Sequence, residues 1–371
     1  MTVICPFCFE KVDLNKTSYL CSSSTCVESG TINRHVIKKP KVDKKGYCTC
    51  DQCGRTTTKA ICSNPKCQAI LPDSIRESET KIISIVGAAG CGKSYFVATL
   101  LRQIMENGLL ARINGAAAKF CSGSREEYEK RYRSNMDNRT PLPATKYVTD
   151  IIKDNPPILT QLTYTNSKRK KIDNTYSFFD AAGESFHRSE DLSAITNYIA
   201  HSEAIILILD PRQIPKVNAA VTAAMPKLPP VTTVTYTEII NNVVEVVRNS
   251  LRLSPKRKID IPLCVAFSKW DLLMNTPDLL NDDLLVSQPS QITSTGFDIN
   301  LINTSSAEIR ALLNEWEANF VASVEQQFKE VCYFGFSAWG PASKDGMEVP
   351  AIASFRVEDP MLWIMNRNKL L

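Results

Sequence analysis

Short apolar runs alternate with longer amphipathic segments along most of the chain. The runs are rich in β-branched residues and are bounded by turn residues, which is typical of buried strands. Strands are predicted at Lys81–Val86, Ile158–Thr165, Thr175–Asp180, Ala204–Asp210, Leu263–Ser268 and Val331–Phe336. Helices are predicted at Ser94–Gly108, Ser185–His201, Thr235–Leu253, Ser306–Lys329 and Asp359–Asn368. Strands that alternate with helices predict a three-layer α/β domain with a mainly parallel sheet.

Local signals add detail to this prediction. Thr235-x-x-Glu238 and Ser305-x-x-Glu308 are capping boxes, which predict that helices begin there. The basic cluster Lys168–Lys171 fits the tip of a hairpin between two antiparallel strands. The long stretch 109–157, between the first predicted helix and the second strand, is expected to be an insertion.

The N-terminal part of the chain does not follow this alternation and carries a repeated cysteine pattern instead. A C-x₂-C pair is followed by a C-x₄-C pair, and the same order then recurs. The eight cysteines are Cys5, Cys8, Cys21, Cys26, Cys50, Cys53, Cys62 and Cys67. Four thiolates from two such pairs satisfy tetrahedral Zn²⁺, so the pattern predicts two Cys₄ zinc sites. We expect each site to form within one half of the repeat, with pairing across the halves as the open alternative.

This part of the chain resembles a double zinc ribbon, and the segment Cys62–Pro72 is typical of such modules. The resemblance implies a small adaptor for protein or nucleic acid at about residues 1–75, followed by the α/β domain at 76–371. A segment this small cannot bury much apolar surface, so bound metal is expected to supply its folding energy. Cys48 is either a free thiol or a substitute ligand, and His35 is expected to be a linker residue.

The first predicted strand and helix are joined by Gly87-Ala88-Ala89-Gly90-Cys91-Gly92-Lys93-Ser94, which fits the phosphate-binding pattern G-x-x-x-x-G-K-[ST]. Glycines let backbone N–H groups turn toward an anion, and the helix N-terminus adds partial positive charge. Lys93 is predicted to reach the β- and γ-phosphates, and Ser94 to bind Mg²⁺ through its hydroxyl. Tyr95 follows directly and is included among the nucleotide-binding residues. The chain is therefore predicted to bind a nucleoside triphosphate.

Three further motifs follow predicted strands, at the sheet edge where ligands bind to α/β folds. Asp180 begins the motif D-x-x-G and is predicted to hold Mg²⁺ through water, with the Gly183 N–H on the γ-phosphate. Asp271 in Ser-Lys-Trp-Asp can accept both N1–H and N2–H₂ of guanine, while the stem of Lys269 packs over the ring. Ser337-Ala338 is predicted to offer a backbone N–H to guanine O6.

These four motifs, in this order and each after an apolar strand, resemble those of the Ras-like, translation-factor-related P-loop GTPases over about residues 80–371. The resemblance implies a G domain that cycles between GTP and GDP, requires Mg²⁺ and orders its loops around the nucleotide. Ser268 stands where the guanine motif usually begins with Asn or Thr, which is expected to loosen its contact with the phosphate loop. Glu184 replaces the usual water-orienting Gln. It either acts as a base or leaves hydrolysis slow until a partner completes the site.

The insertion should supply a threonine that senses Mg²⁺ and the γ-phosphate. Thr145 is predicted to be this residue, with Thr140 and Thr149 as alternatives. Arg139 is either an arginine finger acting in cis or, as we favour, an exposed residue of a basic insertion. Cys91 lies beside the phosphate-loop lysine and a helix N-terminus, a setting that lowers the pKa of a thiol. We expect Cys91 to be a small filler rather than a redox brake.

The sequence Phe-Asp-Ala-Ala-Gly-Glu around Asp180, the segment Asp359–Trp363 and the cysteine module together resemble the "double-GTPase" group of bacterial conflict systems. This resemblance implies a bacterial GTPase that works beside a second GTPase or an effector, for example in phage defence.

Composition sets further bounds. A hydrophobic fraction of 43% and a charged fraction of 22% are those of an ordinary globular protein. Thirteen cysteines without an apolar N-terminal leader favour metal binding in a cytoplasmic protein over disulfides, and no apolar run is long enough to cross a bilayer. Much of the net charge of +5 lies in the clusters Lys38–Lys45, Lys168–Lys171 and Lys256–Lys258. Because no aromatics interleave with them, we favour solvated surface over a nucleic-acid contact.

The sequence thus predicts a cytoplasmic, Mg²⁺-dependent GTPase whose zinc ribbons recognise a protein partner, with association into homo- or hetero-oligomers left open. Two alternatives from other classes also stay open. One is a GTP-bound scaffold with negligible hydrolysis, suggested by the missing Gln. The other is a nucleic-acid-associated P-loop NTPase, suggested by the zinc ribbons and the lysine clusters.

Overall fold

A computed structural model of the protein describes residues 1–28, 33–110, 116–121, 123–143, 155–165, 170–180, 198–228, 231, 235–281, 283–290, 297–340 and 352–369. These residues form a small cysteine-rich segment at the N-terminus and a larger α/β part built on one central sheet. Within the described ranges, no helix is both long and apolar enough to cross a membrane.

The cysteine-rich segment consists of pairs of very short antiparallel strands joined by turns. They are β1 (Thr2–Ile4) with β2 (Lys11–Asp13), β3 (Tyr19–Leu20) with β4 (Val36–Ile37), and β5 (Cys48–Thr49) with β6 (Thr56–Thr57). Cysteines fill much of its small core. The Tyr19 hydroxyl donates to the Leu14 carbonyl at 2.8 Å, and Arg76 donates to the same hydroxyl at 2.6 Å. So small an apolar core is typical of segments that depend on bound metal.

A seven-stranded sheet forms the centre of the α/β part, in the spatial order β13-β12-β11-β7-β10-β9-β8. Its strands are β7 (Glu79–Val86), β8 (Ala117–Phe120), β9 (Ile158–Thr165), β10 (Lys171–Asp180), β11 (Ser202–Leu209), β12 (Leu263–Phe267) and β13 (Val331–Gly335). β7 pairs in parallel with β10 and β11, and β12 and β13 continue the parallel array. β9 is antiparallel to β10, and β8 to β9. The prediction of a mainly parallel sheet is confirmed.

Helices cover both faces of this sheet, as predicted for three layers. They are α1 (Lys93–Met105), α2 (Ser124–Tyr128), α3 (Ser134–Asp137), α4 (Pro215–Ala224), α5 (Tyr236–Leu251), α6 (Trp270–Met274), α7 (Ile299–Trp316), α8 (Ala318–Gln327) and α9 (Asp359–Arg367). Side chains alternate along β7, so Ile83 and Ile85 pack on the side of α1 and α9. Ile82 and Val86 pack on the opposite side, with α4, α5 and α8.

One capping box is confirmed and the other prediction is wrong. Thr235 Oγ1 accepts the Glu238 N–H at 3.2 Å, and the Glu238 carboxylate accepts the Thr235 N–H at 3.0 Å, directly before α5. Ser305, in contrast, lies inside α7, which is capped at its start by Asp298. The Glu308 carboxylate accepts two backbone N–H groups of a neighbouring turn, at 3.0 and 2.9 Å, so it is not available for a capping box. The single helix predicted here is broken at Glu317 into α7 and α8.

Other predicted elements agree with the structure to different extents. The six predicted strands are all present with small shifts at their ends, whereas β8 and the helices α4 and α6 were not predicted. The insertion is partly regular. α2 continues through one π-helical turn (Glu129–Arg133) into α3. The helix predicted at Ser185–His201 lies mostly outside the described residues, as do residues 168 and 169 of the predicted hairpin tip.

The cysteine-rich segment packs against the central sheet through the turn that holds Cys5 and Cys8. The Phe9 ring is buried, with its centroid 4.9 Å from that of Tyr198 and 6.1 Å from that of Phe179. On β10, the buried Ser177 hydroxyl donates to the Pro6 carbonyl at 3.0 Å. Phe9 therefore belongs to the same apolar core as the strands of the sheet.

Candidate nucleotide-binding site

The phosphate loop lies between β7 and α1, as predicted. Gly90 and Gly92 have φ values of 72° and 99°, which only glycine adopts readily. Gly87 is needed for a different reason, because a Cβ there would clash with the Ile208 carbonyl of β11 and lie 2.8 Å from the Cys91 sulfur. The glycines therefore give the loop both its turns and its close approach to the sheet.

Lys93 is buried in this loop. Its Nζ donates to the carbonyls of Gly87 at 3.0 Å and Ala88 at 2.8 Å. The ammonium is thus already held within the loop where phosphate oxygens would bind, and Ser94 follows in the first turn of α1. Burial raises the pKa of the Cys91 thiol, and the nearby Lys93 charge only partly opposes this. The expectation of a lowered pKa at Cys91 is wrong, and the filler interpretation is favoured.

Tyr95 uses its side chain for contacts within the protein. Its hydroxyl accepts the Leu142 N–H at 3.0 Å, and its ring lies edge-on to Trp339 with a centroid distance of 4.7 Å. The contribution of Tyr95 to nucleotide binding stays a prediction.

Asp180 ends β10 at the same edge of the sheet as the phosphate loop, because its backbone is in register with Ile85 of β7. The carboxylate is buried. Its Oδ2 accepts the Tyr132 hydroxyl at 3.2 Å, and its Oδ1 has no hydrogen-bond partner within the described ranges. A buried carboxylate oxygen without a partner fits the oxygen ligands that Mg²⁺ prefers, directly or through water. Ser94 and Asp180 are therefore the described residues that could hold Mg²⁺.

Lys269 connects the phosphate loop with the guanine motif. Its Nζ lies 2.5 Å from Asp210 Oδ2 and 3.4 Å from the Gly90 carbonyl. Its backbone has a φ of 54°, a left-handed conformation that marks a strained position for a residue with a side chain. Ser268 donates its hydroxyl to the Leu209 carbonyl at 3.2 Å. Asp210 follows β11 and was not predicted as part of the site.

Asp271 is fixed by Ser337 at the start of α6. The Ser337 hydroxyl donates to Asp271 Oδ1 at 2.5 Å and accepts the Asp271 N–H at 2.8 Å. Burial raises the pKa of Asp271, while the Ser337 hydrogen bond and the Lys269 charge oppose this. The carboxylate is therefore held in one orientation, as the recognition of a planar donor pair requires.

Of the two backbone N–H groups predicted to contact guanine O6, one is already used within the protein. The Ser337 N–H donates to the Phe355 carbonyl at 2.9 Å, and the Phe355 N–H returns a bond to the Ser337 carbonyl at 2.8 Å. Ser337 therefore acts through its hydroxyl, and the remaining candidate donor is the Ala338 N–H. The involvement of Phe355 was not predicted, because this residue lies far along the chain and outside any motif.

Several predicted site residues lie outside the described ranges, namely Thr145, Thr149, Gly183 and Glu184. Thr140 is described and exposed, and its hydroxyl accepts a hydrogen bond from Asn135 at 3.0 Å. Arg139 lies beside it with a φ of 55°. The structure thus brings together Lys93, Asp180, Lys269 and Asp271 at the carboxyl edge of the sheet, while the predicted γ-phosphate sensors stay predictions.

The eight predicted zinc ligands form two clusters, but their grouping differs from the one we expected. Cys5, Cys8, Cys62 and Cys67 form the first cluster, and Cys21, Cys26, Cys50 and Cys53 form the second. Within each cluster the sulfur atoms all lie within 4.8 Å of one another. Four sulfurs at about 2.3 Å from a tetrahedral Zn²⁺ would lie about 3.8 Å apart, so both clusters fit this metal. Pairing within each half is wrong, because the chain folds back and brings the outer pairs together.

Cys48 and His35 lie beside the second cluster without completing it. The Cys48 thiol is buried and donates to the Thr49 carbonyl at 3.7 Å. His35 Nε2 lies 2.5 Å from Asp51 Oδ1, next to the ligand Cys50. This contact places His35 near the metal site, whereas the sequence predicted a linker residue.

Comparisons with known proteins identify the family of the chain. Residues 81–316 match the family model described as Double-GTPase 2. A relative, the "Putative ESX-1 scaffolding and assembly protein SaeC" of Mycolicibacterium smegmatis (strain ATCC 700084 / mc(2)155), is 25% identical over 321 residues, which cover 81% of this chain and 78% of SaeC.

Among solved structures, the signal recognition particle receptor SRb-GTP/SRX complex from Chaetomium thermophilum matches 71% of this chain and 93% of its own, with 12% identity and a TM-score of 0.29. The match with the Arl6 BBS3 small GTPase from Trypanosoma brucei covers 78% of this chain and 96% of the Arl6 chain, with 10% identity and a TM-score of 0.26. At scores this low, no conclusion about this protein rests on either structure. The family model, in contrast, spans most of the chain and includes Lys93, Asp180 and Asp271. The chain therefore belongs to the Double-GTPase 2 family and is a GTP-binding protein of the P-loop GTPase fold.

Proposed function

We propose that this protein is a Mg²⁺-dependent GTPase that cycles between GTP and GDP states, with hydrolysis that is slow or dependent on a partner. The observation that carries this proposal is the placement of Lys93, Asp180 and Asp271 at one edge of the sheet, around a glycine-rich loop. Lys93 would neutralise the β- and γ-phosphates, and Ser94 with Asp180 would hold Mg²⁺. Asp271, oriented by Ser337, would select guanine.

Hydrolysis requires a group that orients the attacking water. We assign this role to Glu184 or to a residue from a partner, and the sensing of Mg²⁺ and γ-phosphate to Thr145. When bound, Mg²⁺ supplies charge neutralisation at the β- and γ-phosphate oxygens. The residues of this chain would orient the triphosphate, and the bond between Lys269 and the Gly90 carbonyl would keep the guanine and phosphate ends at a fixed separation.

The two cysteine clusters are assigned structural Zn²⁺ ions, and the segment that carries them is proposed to recognise a protein partner. Its exposed lysines include Lys38, Lys39, Lys41, Lys44 and Lys45. An exposed charged surface of this kind favours an acidic partner surface. The setting that we propose, from the family resemblance, is a bacterial conflict system.

Phosphate release from GTP at several protein concentrations tests this function, with ATP as the nucleotide control and Lys93→Ala as the protein control. We expect release that is specific for GTP and lost in Lys93→Ala. Release that rises per chain with concentration would indicate that self-association completes the site. Equal release from ATP would refute guanine selection.

A second candidate is a GTP-bound scaffold that scarcely hydrolyses its nucleotide. The similarity to a protein named for scaffolding and assembly favours it, together with Glu184 in place of the usual Gln. Tight GTP binding without release of phosphate at any protein concentration would support the scaffold and refute turnover by the chain alone.

A further inference from the structure

We propose that Tyr132, together with Asn155, is a positioning residue of the insertion that holds Asp180 for Mg²⁺. This inference rests on the proposed function, because it assumes that Asp180 serves the metal. It adds a role for the insertion that no motif assigns.

The first support is the contact between Tyr132 and the Asp180 carboxylate. Tyr132 is buried in the π-helical turn between α2 and α3, and its hydroxyl donates to Asp180 Oδ2 at 3.2 Å. A carboxylate can only accept hydrogen bonds, so the Tyr132 hydroxyl is the donor in this contact. π-helical turns are rare and occur often at functional sites.

The second support is that the insertion also holds the backbone of Asp180. Asn155 Nδ2 donates to the Asp180 carbonyl at 2.7 Å. The Arg131 guanidinium donates to Asn155 Oδ1 and, at 2.5 Å, to the Pro156 carbonyl, and it lies over the Tyr132 ring at 5.8 Å. Arg131 thereby links the residue that holds the Asp180 side chain with the residue that holds its backbone.

The third support is the difference between the two carboxylate oxygens. Tyr132 engages Oδ2, whereas Oδ1 is buried without a partner in the part of the chain that the structure describes. A hydrogen bond that fixes one carboxylate oxygen also fixes the direction of the other oxygen. In metal sites, such hydrogen bonds to the ligands orient them toward the metal. Their loss typically weakens metal binding by about 10- to 100-fold.

The test is the Mg²⁺ concentration that half-maximally slows the release of fluorescent GTP, measured in wild type and in Tyr132→Phe. We expect the substitution to raise this concentration by about 10-fold while the release rate in excess chelator stays unchanged. Tyr128→Phe is the matched control. It lies one helical turn away, its ring centroid is 6.2 Å from that of Tyr132, and its buried hydroxyl has no hydrogen-bond partner within the described ranges.

A Mg²⁺ requirement that is unchanged in Tyr132→Phe would overturn the inference. An equal rise in Tyr128→Phe would also overturn it, since the effect would then come from packing. Asn155→Ala is expected to raise the requirement in the same direction, and this variant keeps the test decisive if Tyr132→Phe does not fold. The proposed function fails separately, if wild-type protein binds GTP equally well with and without Mg²⁺.

Discussion

The two cysteine clusters have the same ligand type but join the rest of the molecule differently. All four cysteines of the first cluster are buried, and the turn between Cys5 and Phe9 packs against the central sheet. The second cluster includes the exposed Cys53. The segment between two of its ligands, Cys26 and Cys50, carries Tyr47, which is 46% exposed, and the exposed lysines named above. Two clusters with the same cysteine spacings therefore differ in how they contact the rest of the protein. Phe9, next to the first cluster, packs into the α/β core, whereas the second cluster includes an exposed ligand.

Removal of the first metal site should have the largest effect on the stability of the α/β part. The double substitution Cys8→Ser with Cys62→Ser is expected to lower bound zinc from about two ions to about one and to cost about 4 kcal/mol or more of unfolding free energy. The matched double variant is Cys26→Ser with Cys53→Ser, which should lose the same amount of zinc but leave the α/β part almost unchanged. Tryptophan fluorescence separates the two regions, because Trp270, Trp316, Trp339 and Trp363 all lie in the α/β part. Equal loss of stability in both double variants would show that the two clusters contribute equally to the stability of the α/β part.

The next largest effect is expected at the ring that joins the first cluster to the sheet. Phe9→Ala should lower the unfolding free energy of the α/β part by about 3–5 kcal/mol, because it leaves a cavity beside Phe179 and Tyr198. Phe7→Ala is the control, since Phe7 packs only partly buried against the cysteine cluster. Denaturant unfolding followed by tryptophan fluorescence measures both. If Phe7→Ala is as costly as Phe9→Ala, the docking of Phe9 does not distinguish the first cluster.

A smaller effect is expected at the hydrogen bond between Ser177 and Pro6. Ser177→Ala should cost about 1 kcal/mol, because the Pro6 carbonyl loses a buried donor. Ser22→Ala removes an exposed hydroxyl that donates to the Thr56 carbonyl within the cysteine segment, and it should leave the α/β part unchanged. The same fluorescence measurement applies. A loss for Ser22→Ala that matches the loss for Ser177→Ala would contradict the interpretation.

Much of the fold could be predicted because its strands are continuous apolar runs that differ clearly from their surroundings. β8 was missed because it is short and only partly buried, so it has no such run. The helix start at Ser305 was misplaced because the sequence pattern of a capping box does not show whether its Glu is used elsewhere. The ligand grouping of the cysteines could not be decided, because both groupings use the same spacings and only the path of the chain between them selects one.

Some residues of the candidate site could be predicted from the sequence and others could not. Lys93, Asp180, Lys269 and Asp271 could be predicted because each belongs to a short motif whose residues act together. Asp210 and Tyr132 could not, because their partners Lys269 and Asp180 are distant in sequence and neither residue lies in a motif. Contacts between residues far apart in the chain depend on the sheet order, which periodicity alone does not determine.

The proposal that Asp271 selects guanine is best tested by a nucleotide titration of the variant Asp271→Asn. GTP and xanthosine triphosphate are titrated calorimetrically with Mg²⁺, and Asp278→Asn, a change at an exposed position, serves as the control. An amide cannot accept both guanine N–H donors, so GTP affinity should fall by about 100-fold, the equivalent of about 3 kcal/mol for two charge-assisted hydrogen bonds. Affinity for xanthosine triphosphate should rise, and Asp278→Asn should behave like wild type. If Asp271→Asn keeps the wild-type preference for GTP, guanine is not selected by Asp271.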